Sequence, residues 1–112
     1  MKTIESIIKE VLKRSKSKKK KHVEDEWYNY LKEKLQFPFE AEVNLISYTE
    51  VFEDGDIIKV VDIDNFIDLY GFIMKVKKSR KTYYLPLLEM ELTDKNSTNQ
   101  LIIDAFFEWE EH

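Results

Sequence analysis

Apolar residues at Ile4, Ile7, Ile8, Val11 and Leu12 recur at three- and four-residue intervals and form one stripe of an amphipathic helix. Thr3 stands where an N-cap belongs, and Lys9, Lys13, Arg14 and Lys16 lie toward the end where cations suit the helix dipole. From Ser15 to Lys21 no apolar residue occurs, which predicts a solvated, mobile linker. A second helix is predicted over about Val23 to Leu35, with Glu24, Asp25 and Glu26 in its first turn and Trp27, Leu31 and Leu35 on one face. Pro38 excludes Phe37 from that helix.

Beyond Pro38 the period changes from helical to alternating. Glu40, Glu42 and Asn44 interleave with Ala41, Val43 and Leu45, the pattern of a half-buried strand over residues 40–46. Glu53-Asp54-Gly55-Asp56 reads as a turn, and Ile57 to Val61 as a core strand. The polar stretch Asp62 to Asp68 is expected to interrupt it as a loop. Strand character returns from Leu69 to about Lys77. A short turn over residues 78–81 leads into Thr82–Leu85, which makes a hairpin that Pro86 ends or places at a sheet edge. Leu88, Met90 and Leu92 alternate with Glu89 and Glu91. A last helix follows, capped at Ser97 with Gln100 as capping-box partner, and with Leu101, Ala105 and Trp109 toward the core beside Ile102 and Phe106. About five short, mostly antiparallel strands between helices define an α+β protein. Its sheet is expected as a small barrel or a curled sheet, SH3-like in form.

Charge divides the chain more sharply than hydropathy does. The net charge of −4 conceals nine basic and two acidic residues in 1–22, against nine basic and twenty acidic in 23–112. The expected organisation is therefore a basic helix and linker, 1–22, joined to an acidic domain, 23–112. With 112 residues, seven Phe, six Tyr and two Trp, the chain suits one folded core rather than disorder. It has no cysteine, so disulfides, thiolate metal sites and a Cys nucleophile are excluded. No apolar run approaches the roughly 18 residues of a membrane span, and charges break the N-terminal stretch where a secretory signal would be apolar. A cytoplasmic protein is expected.

The inventory for catalysis is poor. The histidines are His22 in the linker and His112 at the last position, and two glycines supply no phosphate-cradling loop. An enzyme is not expected. Asp62, Asp64, Asn65 and Asp68 place four oxygen-bearing side chains within seven residues, the hard-donor chemistry that Ca2+ prefers. They do not form an EF-hand, because Phe66, Ile67 and Ile73 stand where that loop needs Asp or Asn, Gly and Glu. Asp54 and Asp56 around Gly55 are a second, lesser set. Against these stands a basic hairpin of Lys75, Lys77, Lys78, Arg80 and Lys81, followed by Tyr83 and Tyr84. Such a strand could follow nucleic-acid phosphates while a ring stacks on a base, or could simply protect a sheet edge. The basic N-terminal helix admits an anionic membrane surface, nucleic acid, or burial of Ile4, Ile7, Ile8, Val11 and Leu12 against its own domain or a second copy.

The run Trp27-Tyr28-Asn29-Tyr30-Leu31-Lys32-Glu33-Lys34-Leu35-Gln36-Phe37-Pro38-Phe39-Glu40-Ala41 resembles the opening of the CcbP-type bacterial calcium-binding proteins, W-Y-x-x-L-x-x-x-L-x-F-P-F-x-A. Weaker likenesses follow in order at Gly55 to Val61, Phe72-Ile73-Met74, Leu85-Pro86-Leu87, and a final helix with Asp104 and Trp109. The resemblance spans roughly 26–110 and omits the basic arm. It implies a small strand-rich acidic domain that binds Ca2+ through surface carboxylates, as buffer or sensor. On that reading Asp62, Asp64 and Asp68 are the principal ligands, with Asn65, Asp54 and Asp56 secondary. Thr93-Asp94-Lys95-Asn96-Ser97 departs from the family, whose members tend to be rich in Asp and Glu there.

Overall fold

The computed structural model describes residues 2–45 and 51–112, in two compact units. The helical unit takes both ends of the chain, residues 1–35 and 96–112, and the sheet unit takes 36–95.

In the helical unit, α1 spans Ile4–Arg14, α2 Lys20–Lys34 and α3 Thr98–Glu111. The Thr3 hydroxyl accepts the Ser6 N–H at 3.1 Å while the Ser6 hydroxyl accepts that of Thr3, a reciprocal cap on two otherwise orphaned donors. Ile7 and Val11 are fully buried and the rest of the stripe is half-buried, with α1 packing on α2 and α3. The stripe is thus covered within its own unit, which leaves the alternative of pairing with a second copy without support. Trp27 is the centre of the core. Its ring meets Tyr30 and Phe106 edge-on, with centroids 6.0 and 5.5 Å apart, an arrangement that aromatic quadrupoles favour.

The helical unit departs from expectation at four points. Helix α2 starts at Lys20, so Glu24, Asp25 and Glu26 lie past its first turn, which contains no acid. The linker shrinks to Ser15–Lys19 and is tied locally: the Ser15 hydroxyl donates to the Ser17 carbonyl at 2.7 Å, and the Ser17 hydroxyl accepts the Lys19 N–H at 3.2 Å. In α3 the Ser97 hydroxyl accepts the Gln100 N–H as expected, but the Gln100 amide reaches forward to Asp104. The buried face is Ile102, Ile103, Ala105 and Phe106, with Leu101 and Trp109 at its border.

The sheet unit is one antiparallel sheet in the order β4-β3-β2-β1-β5, built from β1 (Phe39–Val43), β2 (Ile57–Ile67), β3 (Gly71–Lys78), β4 (Lys81–Pro86) and β5 (Met90–Leu92). The sheet is open, so the curled-sheet expectation holds rather than the barrel. Among the described residues β4 and β5 are its edges. Pro86 is the last residue of edge strand β4, a place in a sheet where proline is tolerated. Leu87–Glu89 forms a 3-10 turn rather than part of a strand, so only Glu91 of the expected alternating pair lies in β5. Buried Ala41, Val43, Ile58, Val60, Ile63, Met74, Val76 and Leu92 fall on one side of the pleat.

Candidate metal centre

Strand β2 holds three of the six candidate oxygen donors, and it corrects the expected loop. The chain stays in the ladder from Ile57 to Ile67, so Asp62, Asp64 and Asn65 are strand residues. Val60 pairs with Val76 and Asp62 with Lys75, then Ile63 with Met74 and Asn65 with Ile73. Val61 and Asp64 are the extra residues of two bulges, at which two residues on β2 face one step on β3. The bulges explain the sequence pattern: each shifts the alternation by one, so Val60, Ile63 and Phe66 can all face the buried side at three-residue spacing. Period two is lost in the letters and kept in the sheet.

Asp62 is half-buried opposite Lys75, and its carboxylate accepts the Ile63 N–H at 2.8 Å. Asp64 and Asn65 are exposed. Asp68 opens the exposed three-residue turn Asp68-Leu69-Tyr70, which the Tyr70 N–H closes onto the Ile67 carbonyl at 3.0 Å. Gly71 ends the turn at φ +74°.

Asp54 and Asp56 sit together in the expected turn, where the Asp56 N–H donates to the Glu53 carbonyl and Gly55 adopts φ +90°. Their carboxylates already have work. Asp54 accepts the Leu45 N–H at 2.6 Å, and Asp56 accepts the Glu53 N–H at 2.9 Å. Asp56 also pairs with the Lys78 ammonium at 2.8 Å. That ammonium, and then the Glu53 N–H, hold the Asp56 carboxyl below the usual range, and Asp56 raises the Lys78 pKa in turn.

Among the described residues no three His, Asp or Glu side chains gather closely enough to hold a metal ion. The oxygen donors suit a hard cation, but they are spread along a strand and two turns. Six to eight oxygens around Ca2+ would have to include carbonyls and water. Sequence spacing did not show that Glu42 on β1 stands directly opposite Glu91 on β5. The Asn44 amide donates to Glu91 at 3.5 Å, and a Cβ at Gly55 would lie 3.7 Å from Glu42. Like charges in direct cross-strand register repel, and the Lys95 ammonium, 3.7 Å from Glu91, already relieves part of that repulsion. Forty-nine residues separate the pair, so only the register reveals it.

The basic candidates divide as well. Lys78 donates to the Val51 carbonyl at 2.9 Å besides pairing with Asp56, and lies 5.6 Å over the Phe52 ring. Lys75 is half-buried opposite Asp62. Lys77, Arg80 and Lys81 are exposed around the two-residue turn at Ser79, whose φ is +59°. In the helical unit His22 shares a 2.6 Å hydrogen bond with the Ser17 hydroxyl, and His112 lies 3.5 Å from Glu108. No helix among the described residues is long and apolar enough to cross a membrane.

The sequence profile of the CcbP-type family, described as calcium binding, matches residues 5–110 and so includes α1. The crystal structure of Anabaena CcbP has the same fold. The match has a TM-score of 0.74 at 18 % identity and covers 98 % of this chain and 93 % of that one. Among curated proteins none matches the sequence.

Proposed function

The chain belongs to the CcbP family of calcium-binding proteins, and from that premise we propose that it is a low-affinity Ca2+ buffer whose ligands are carboxylates of the sheet unit. The family match over 106 of 112 residues carries the reading. Asp62, Asp64 and Asp68 are the principal ligands, with Asn65 beside them. The bulge at Asp64 supports this choice, since bulges re-aim side chains at functional positions. Asp54 is secondary through its remaining oxygen, and Asp56 contributes least because Lys78 already neutralises it.

Dispersed carboxylates with no preformed cage favour weak binding, with Kd roughly 10⁻⁵ to 10⁻³ M. Buffering suits these positions better than sensing. A sensor needs an element with two packings for the ion to choose between, whereas these groups stand on a hydrogen-bonded strand and a closed turn.

Titrating Ca2+ into isotope-labelled protein tests the assignment. Amides of residues 62–68 should shift saturably, and Asp64→Asn with Asp68→Asn should weaken binding about tenfold or more. Shifts that grow linearly, or vanish in about 0.1 M salt, would reduce the site to counterion screening. Loss of binding on Glu42→Gln with Glu91→Gln, but not on the aspartate changes, would move the site to the β1–β5 pair.

A further inference from the structure

Lys13, Lys16, Lys18, Lys19, Lys20 and Lys21 are all exposed within nine residues of the helical unit. Nearby acids do not neutralise them. Glu10, Glu26 and Glu33 converge on Arg14 instead, at 3.9, 3.4 and 2.6 Å, and none of the six lysines forms an ion pair among the described residues. Three of them also sit against local helix preference. Lys19 is the N-cap of α2 and gives no side-chain cap, and Lys20 and Lys21 occupy a first turn where acids belong. The charge is therefore held at a position that opposes helix stability. The serine bonds of Ser15–Lys19 fix the backbone that carries it, which lowers the entropy lost on binding.

We infer that this lysine tract binds the phosphate backbone of nucleic acid without sequence preference. An anionic membrane is the other polyanion such a tract could meet. Stable membrane attachment takes a second signal beside a basic patch, and the one available, the α1 stripe, has Ile7 and Val11 fully buried. Release of counterions from nucleic acid needs no such anchor. Base readout is not expected: the tract has no Phe, Tyr or Trp, its cations are lysines rather than arginines, the adjoining His22 ring is tied to the Ser17 hydroxyl, and the next ring, Trp27, is buried. The inference does not depend on the calcium reading, because the tract and the carboxylates lie in different units.

The test is fluorescence anisotropy of a labelled random-sequence 20-base-pair DNA duplex with the full chain. Five phosphate contacts give a slope of log K against log salt of about −4.5, a loss of roughly 500-fold between about 50 and 200 mM salt. Replacing Lys16, Lys18, Lys19, Lys20 and Lys21 with Gln should bring the slope close to zero with the helical circular dichroism unchanged. Lys16→Gln with Lys18→Gln, both outside the helices, should lower it by about two. Lys77→Gln with Arg80→Gln and Lys81→Gln should leave it unchanged. The inference fails if the wild-type slope is flat, or if the lysine variants bind like wild type. It also fails if the hairpin variant alone loses binding, or if vesicles of anionic lipid outcompete the duplex at equal salt.

Discussion

Asp56 shows how one carboxylate can look like a ligand in the sequence and serve as a structural ion pair in the fold. Its pKa is lowered, first by the Lys78 ammonium and then by the Glu53 N–H. The folded state thus takes up its proton less readily than the unfolded chain. The resulting stabilisation is complete above the ordinary aspartate value near pH 4 and is lost as pH falls through the lowered one. Glu33, lowered chiefly by its hydrogen bond from Arg14, adds loss in the same direction. Urea midpoints should therefore fall as pH drops below the ordinary carboxylate range near pH 4, and Asp56→Asn should flatten part of that fall. Trp27 makes a different point. The resemblance singles it out, but nothing in the letters tells that its indole N–H is buried without a partner. Trp27→Ala should cost about 3–5 kcal/mol in urea unfolding. Trp27→Phe should cost less than half as much, because it keeps a ring among Tyr30, Phe106 and Trp109 and removes the orphaned donor.

At the scale of elements, what was legible in the sequence was what local chemistry sets. The Thr3 cap, the turn at Gly55, the β3–β4 hairpin, the end of β4 at Pro86 and the Ser97 cap all rest on residues within a few positions of each other. The failures were non-local. Asp62 to Ile67 read as a loop because two bulges break the alternation, and bulges are decided by the partner strand. The start of α2 at Lys20 was hidden because its first turn goes against capping preference. The β2–β3 turn gives an element-scale prediction. An added Cβ at Gly71 meets nothing within 4 Å, so Gly71→Ala should destabilise through backbone strain alone, by about 1 kcal/mol. Gly71→Asn should recover part of that loss in the same urea assay, since Asn tolerates positive φ better than Ala.

At the scale of the molecule, the candidate site was legible as chemistry and not as geometry. Oxygen donors could be counted in the sequence, but the cross-strand register that sets Glu42 against Glu91 could not. Binding that favours the folded state stabilises it by mass action: Ca2+ at about 100 times its Kd should add about 2.7 kcal/mol. A calorimetric scan should show the higher midpoint with Ca2+, and a smaller rise with Mg2+, which demands stricter geometry. The division into units sets the order in which the parts of the chain can be completed as it emerges. The sheet is encoded by one continuous stretch, 36–95, whereas the helical unit is encoded by two segments on either side of it. A chain that has emerged as far as residue 95 carries the whole sheet unit while Trp27 still lacks Phe106 and Trp109, its partners from α3. Chains arrested on the ribosome behind an added C-terminal linker that spans the exit tunnel should gain protease resistance in two steps as they are lengthened, first over the sheet and then over α1 and α2 once residues 96–112 have emerged.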